Sequence, residues 1–303
     1  MLKTILIVTI SVFNLEPVET AYREHLDYRV VERGTVSDDL GRMWDAAAMT
    51  GRHYLLMEPD SGAPVFIRFV ENDPVEGYAP MTTHGWNGTE LLVTDPDALA
   101  GRLNNSAFRI IGPPKDLWAA PNAPRAMQAL GPADEVLYLT RNGNFATDTF
   151  VDRVFIMVLG GRSMAAMGAF YRDRLGLAVG EPTPFRISVI SRAQGRPAET
   201  SYPLAIATVS QDFLIELDEY PDDTPARPVT PGHLPPGTAM VSVEIEGELD
   251  DLGVEWRAQP RTVDSFPYNG REVGVTVGAA GEWIELVEGD VDHDDGDGAS
   301  DID

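Results

Sequence analysis

The stretch YRDRLGLAVGE at residues 171–181 repeats an earlier one, YREHLDYRVVE at 22–32. Tyr171, Arg172, Leu175, Val179 and Glu181 match Tyr22, Arg23, Leu26, Val30 and Glu32 at a constant offset of 149 residues. The same offset lays KTILIVTI at the start of the chain over the mid-chain run DRVFIMVL. It also lays HGWNGT (84–89) over HLPPGT (233–238), so His84 falls on His233. An offset of 147 lays DEVLYLTR over GEWIELVE. Self-similarity of this kind marks a duplicated architecture, with two halves of about 150 residues.

Each half divides again. Four segments close alike: APVFIRFVEN, DEVLYLTRN, QDFLIELDEY and GEWIELVEG. Each is an apolar run carrying one polar side chain at the same place, Arg68, Tyr138, Glu216 and Glu285. Each quarter opens on a Val- and Ile-rich strand and runs into a helix. Pro17 suits a first helical turn, Asp95-Pro96 reads as an N-cap followed by N1, and Gly176 is a C-terminal stop. Short alternating strands then lead to the closing run, so the unit is β-α-β-β-β, four times over. On this reading MLKTILIVTISVF is a strand rather than a secretion signal. No small-residue cleavage site follows it, and charged residues come soon after.

The joints are residues 142–150 between the halves and the proline-dense 218–237 between the last two units. Residues 289–303 are a low-complexity acidic tail expected to be solvated, so the halves span 1–141 and 151–288. The chain has 303 residues, a net charge of -25 and no cysteine. Such acidity argues against nucleic-acid and anionic-membrane partners. The missing cysteines exclude disulfides and thiolate chemistry and suit a cytoplasmic protein. The expected partners are a small-molecule ligand and, as a possibility, a second copy of the chain.

The four-unit pattern, AFYRDRLGLAV after the third opening strand, and the WIEL closing strand resemble the vicinal oxygen chelate superfamily. That group includes glyoxalase I, the extradiol dioxygenases and the bleomycin-resistance proteins. The resemblance covers about residues 3–288. It implies an α+β fold of four βαβββ modules paired into two cup-shaped, strongly curved mixed sheets, each half forming one cup. It also implies metal ligands projecting into a cup from opening and closing strands. The matching positions are Arg153, Glu216, Met240 and Glu285 in the second half, and about Thr4, Arg68, Gly88 and Tyr138 in the first.

Arginine cannot ligate a metal. Arg153 is therefore expected to fill the cation position and bridge Glu216 and Glu285. No cofactor is expected. The alternative is a divalent metal held by Glu285, Glu216 and His233. His84 and His233 are either a duplicated loop cap or, for His233, a group at the rim beside Glu285. Arg68 with Tyr138 would grip an anionic or phenolic ligand or close a structural half. Trp283 and Tyr268 either pack or stack on a ligand. The expected function is metal-independent action on a small oxygenated molecule, as a lyase or isomerase with Glu216 or Glu285 as base, Arg153 steadying negative charge and His233 shuttling protons. Ligand sequestration is the variant of that reading, and a ring-cleaving dioxygenase or glyoxalase-like metalloenzyme is the alternative.

Overall fold

The computed structural model describes residues 1–143 and 147–289. The acidic tail beyond residue 289 and part of the joint between the halves lie outside the described residues. Unit one runs β1 (Leu2–Val12), α1 (Leu15–His25), β2 (Tyr28–Thr35), α2 (Asp38–Met43), β3 (His53–Pro59), β4 (Phe66–Glu71). Unit two runs β5 (Gly85–Val93), α3 (Pro96–Leu103), β6 (Arg109–Asp116), β7 (Arg125–Leu130), β8 (Val136–Arg141). Unit three runs β9 (Val151–Gly161), α4 (Met164–Ala169), β10 (Ala178–Val179), β11 (Thr183–Arg186), α5 (Ser188–Ala193), β12 (Ser201–Thr208), β13 (Leu214–Glu219). Unit four runs β14 (Gly237–Ile245), β15 (Trp256–Val263), β16 (Arg271–Val277), β17 (Trp283–Glu288).

The local signals act as their chemistry requires. Asp95 accepts hydrogen bonds from the backbone N–H groups of Asp97 and Ala98, with Pro96 in the first turn of α3. Gly176 ends the third unit's helical segment at φ +70°, a left-handed conformation that suits glycine. The opening run forms β1, hydrogen-bonded on both sides. Unit four departs from the expected pattern. Its helix shrinks to a 3-10 turn at Leu249–Asp251, because EGELDDLG offers two glycines and no apolar stripe.

The sheets do not follow the halves. One sheet has the order β15-β16-β17-β14-β1-β4-β3-β2, joining units one and four. The other has β10-β12-β13-β9-β5-β8-β7-β6, joining units two and three. This corrects the expected pairing of unit one with two and three with four. The four units are near-equivalent, so the repeat alone does not say which opening strands pair. Here β1 lies antiparallel to β14, and β5 to β9. Register shifts along both central pairs mark bulges, which bend and twist a sheet. Each sheet thus makes a cup, here called outer (units one and four) and inner (units two and three), and the inner one curls into a half-barrel.

The repeated tyrosine holds each half together across the sheets. Tyr171, fully buried after α4, donates to Glu282 Oε1 at 3.0 Å, at the turn entering β17. Buried Tyr22 stands by Glu135, the corresponding group before β8. Arg227, in the proline-rich segment returning to β14, donates to the carbonyls of Trp86, at the start of the inner sheet's β5, and of Thr238 in β14, the latter at 2.7 Å. No helix among the described residues is long and apolar enough to cross a membrane.

Candidate functional site

In each unit the closing strand lies parallel to the opening one, and its central polar residue meets a fixed partner: Thr9 with Arg68, Glu90 with Tyr138, Val158 with Glu216, Ser242 with Glu285. The opening-strand positions expected from sequence were therefore misplaced. Thr9 and Val158 stand where Thr4 and Arg153 were expected, and Glu90 and Ser242 where Gly88 and Met240 were. A five-residue error is easily made in the two 11-residue strands, whose middle stretches, 5–8 and 154–159, are unbroken apolar runs.

The outer cup is filled. Glu285 is fully buried and accepts from Trp44 Nε1 at 2.9 Å, from the Tyr268 hydroxyl at 3.0 and 2.9 Å, and from the Ser242 hydroxyl. Arg68 Nη2 stands 3.6 Å from Glu285 Oε2. The guanidinium also donates to Thr9 Oγ1 and, at 2.7 Å, to the Tyr268 hydroxyl, and it lies over the Trp44 ring. Burial and the carboxylate raise the Tyr268 phenol well above its ordinary range, so the hydroxyl keeps its proton and donates it to Glu285. Met240 and Trp283 pack in the same cluster, and Arg257 stacks on the Trp283 ring 3.9 Å from its centre. This is a satisfied network of buried side chains, closed to solvent.

Arg153 does not take part. It pairs with Asp152 and, at 3.6 Å, with Asp212 on the inner sheet. The expected bridge to Glu285 fails because β9 and β17 belong to different sheets. His233 meets Asn72 Oδ1 at 2.9 Å beyond the end of β4. Arg68 and Tyr138 do not converge either, since one fills the outer cup and the other faces the inner one. Of the expected residues, only Glu216 and Tyr138 line the inner cup.

The inner cup holds a cavity of about 480 Å³. Across its floor Gln128, Tyr138, Glu90 and Ile156 lie in register on four neighbouring strands. Val158, Glu216 and Ile206 form the next row. Gly88 leaves space for the Tyr138 ring, which would come within 2.8 Å of a Cβ there. The walls are apolar: Phe155, Phe185, Ile187 and Leu204 among others. Trp118, 54% exposed, stands at the mouth with Lys115 and Arg186.

The two cups differ at the C-terminal ends of α2 and α5. Trp44 caps the C-terminus of α2 and plugs the outer cup, while Gln194, in the same place after α5, turns to the Met81 carbonyl.

Burial governs the acids of the inner cup. It pushes the Glu90 carboxyl up to about 7, with the nearby Thr140 hydroxyl acting the other way. Glu216 is raised well above the carboxylate range by burial and by Asp218 and Glu90. Asp218, two residues along the same face of β13, is fully buried and raised to about 8 by desolvation. Neither of its oxygens finds a hydrogen-bond partner among the described residues, nor does the Tyr138 hydroxyl. Glu90 and Asp218 were missed in the sequence. Glu90 had a signal, the one charged residue of β5, set against Leu91, Leu92 and Val93 and of the same kind that singles out Glu285.

The residues at these positions do not fit the metal centre that the fold family implies. The inner cup offers two carboxyls, Glu90 and Glu216, a phenol and a valine. The outer cup offers a hydroxyl pair, Glu285 and a guanidinium. No cluster of three or more His, Cys, Asp or Glu placed to hold a metal occurs among the described residues.

No family model matches the sequence, and no curated protein matches it. Solved structures do match in shape. Glyoxalase I from Zea mays aligns with a TM-score of 0.63 at 13% identity, over 94% of this chain and 92% of that one. A candidate dioxygenase from Bacillus subtilis subsp. subtilis str. 168 aligns at 0.63 and 13% identity, over 95% and 85%. The four βαβββ units, the two cups and these alignments agree: the chain has the fold of the vicinal oxygen chelate superfamily.

Proposed function

We propose that the protein binds a small, largely apolar, oxygenated molecule in the inner cup and moves a proton on it without a transition metal, as a lyase or isomerase. One observation carries the reading: Glu90 and Glu216 stand on the floor of an apolar cavity of about 480 Å³. Cavities with apolar walls and a few convergent polar groups are the usual small-molecule sites. A carboxyl held near neutrality can take and return a proton at physiological pH.

Glu90, the more readily ionised of the two carboxyls at about 7, takes the proton from a carbon next to a carbonyl. The electron pair moves into the carbonyl, and the Gln128 side-chain amide N–H donates to the oxygen as charge builds there. Glu216, raised further by burial and with part of its surface on the cavity, is the neutral acid that returns a proton to the neighbouring atom, or to the leaving oxygen in an elimination. If no turnover occurs, the same groups serve binding alone. The acidic, cysteine-free composition suits a cytoplasmic setting.

A thermal-shift screen of small oxygenated compounds tests this. Compounds that raise the melting temperature of the wild type should lose that effect in Ile206→Trp or Leu204→Trp, which fill the cavity. Equal stabilisation of both filled variants would place binding elsewhere and contradict the reading.

A further inference from the structure

We propose that the molecule accepted by the inner cup carries a cationic nitrogen, an amine or quaternary ammonium, on a flat apolar body. The proposal rests on the binding reading above and narrows it.

The charge arrangement around the cavity is one-sided. β5 contributes Glu90, β8 contributes Tyr138, and β13 contributes Glu216 with Asp218 behind it. Tyr202 of β12 and Tyr220 after β13 pack beside them, and Gln128 and Thr140 are neutral polar groups of the lining. Glu90, Glu216 and Asp218 have no ion-pair partner among the described residues. Lys115 and Arg186 line the cavity from exposed positions at the mouth. Arg227, near Tyr220, is taken up by the carbonyls of Trp86 and Thr238.

Other buried carboxyls in this chain are provided for. Glu285 has Arg68, Tyr268 and Trp44, and Glu282 has Tyr171 and the Ala280 N–H. The inner cup is different. Its carboxyls have no ion-pair partner among the described residues, and beneath the lining the Tyr138 hydroxyl is buried with no hydrogen-bond partner there. Gln128 suits oxygen atoms of a ligand, and the carboxyls suit a positive charge.

The walls point the same way. Trp118, Phe155 and Phe185 are in the lining, and aromatic rings attract a desolvated ammonium as well as apolar surface.

A cation bound here changes the protonation of the floor. Without one, burial raises all three acids, so that below about pH 7 they retain protons that ordinary carboxyls have lost. An opposite charge within about 4–6 Å lowers a carboxyl pKa by about 1–3 units. A cationic ligand therefore expels protons as it binds, whereas a neutral one leaves them in place.

Three probes of one shape separate the cases: benzyltrimethylammonium, the neutral 2-methyl-1-phenylpropan-2-ol and the anion 2,2-dimethyl-3-phenylpropanoate. The quaternary cation cannot titrate, so any proton released comes from the protein. Titration calorimetry of the full chain, in two buffers of different ionisation heat, reads affinity and proton release together. At about pH 6.5 the cation should bind about tenfold or more tighter than the alcohol, one pKa unit being a factor of ten. Its affinity should rise with pH, with net proton release, and Glu216→Gln and Glu90→Gln should each reduce both effects. Equal or tighter binding of the alcohol or the anion, or cation binding without proton release, would overturn the proposal. If the alcohol or anion binds and Ile206→Trp abolishes it, the inner cup is still a binding site and only the cationic class falls. If none of the three binds, both readings fall.

Discussion

Arg68 and Glu285 meet inside the outer cup, Nη2 to Oε2 at 3.6 Å, with the two side chains only 2% and 0% exposed. They come from the closing strands of the first and last units, so the contact exists only because β1 and β14 pair. Removing one member of such a pair strands the other. Arg68→Ala should cost about 3–5 kcal/mol in chemical denaturation. Arg68→Met with Glu285→Gln should recover much of that loss, because no bare charge remains. Arg153→Ala should cost less than about 1 kcal/mol, its pairs being partly exposed. A large loss at Arg153 with none at Arg68 would contradict the sheet pairing.

Trp44 seals the outer cup and donates to Glu285. Trp44→Ala leaves a cavity and removes one of the carboxylate's donors, a change expected to cost about 3–5 kcal/mol. Ligand binding in the inner cup should survive at temperatures where the variant is folded. Loss of binding in a folded Trp44→Ala protein would count against the division of roles between the cups.

Glu90 supplies a pH test. Its folded carboxyl titrates near about 7, against an ordinary 4.5. The folded chain therefore holds this proton where the unfolded chain has released it. Glu90's share of stability is intact below about pH 4.5 and is lost as pH rises through about 7. Glu90→Gln should match the wild type in acid and exceed it at about pH 8, by at most about 3 kcal/mol at 1.36 kcal/mol per unit. Denaturation midpoints across this range read the difference directly. Comparison with the variant is needed because Glu135, Glu216, Asp218 and Glu282 are also raised and shape the wild-type curve.

Metal analysis of purified protein should find well under one equivalent of transition metal per chain. Chelator should leave both the melting temperature and the ligand-induced shift unchanged, since a metal bound only to the folded state would stabilise it by mass action. Stoichiometric metal whose loss lowers the melting temperature would contradict the donor-set argument.

Much of the fold was legible because its signals are local. The repeated YR motif, the Asp95-Pro96 cap and the four closing strands identify the units without any long-range information. What the repeat could not encode was which unit pairs with which, because equivalent strands are interchangeable in sequence. That ambiguity moved Glu285's partner from Arg68 to Arg153. The opening-strand register was lost for a related reason. The middles of β1 and β9, residues 5–8 and 154–159, are unbroken apolar runs, so no alternation marks which residue faces the cup. Position in the closing strands was read correctly at Glu216 and Tyr138. Nothing local to Glu285 says that Trp44 and Tyr268 fill its cup while Glu216's stays open. Trp44 arrives from 241 residues away, and Tyr268 from the loop between β15 and β16.

The most direct test of the account is an NMR titration of the five tryptophan indole N–H signals with a ligand from the thermal-shift screen. Trp118 stands at the mouth of the inner cup, and Trp44 is sealed in the outer one. The account predicts that the Trp118 signal moves with ligand concentration while Trp44 stays fixed. Movement of Trp44 with Trp118 unchanged would contradict it, and would return the site to Glu285.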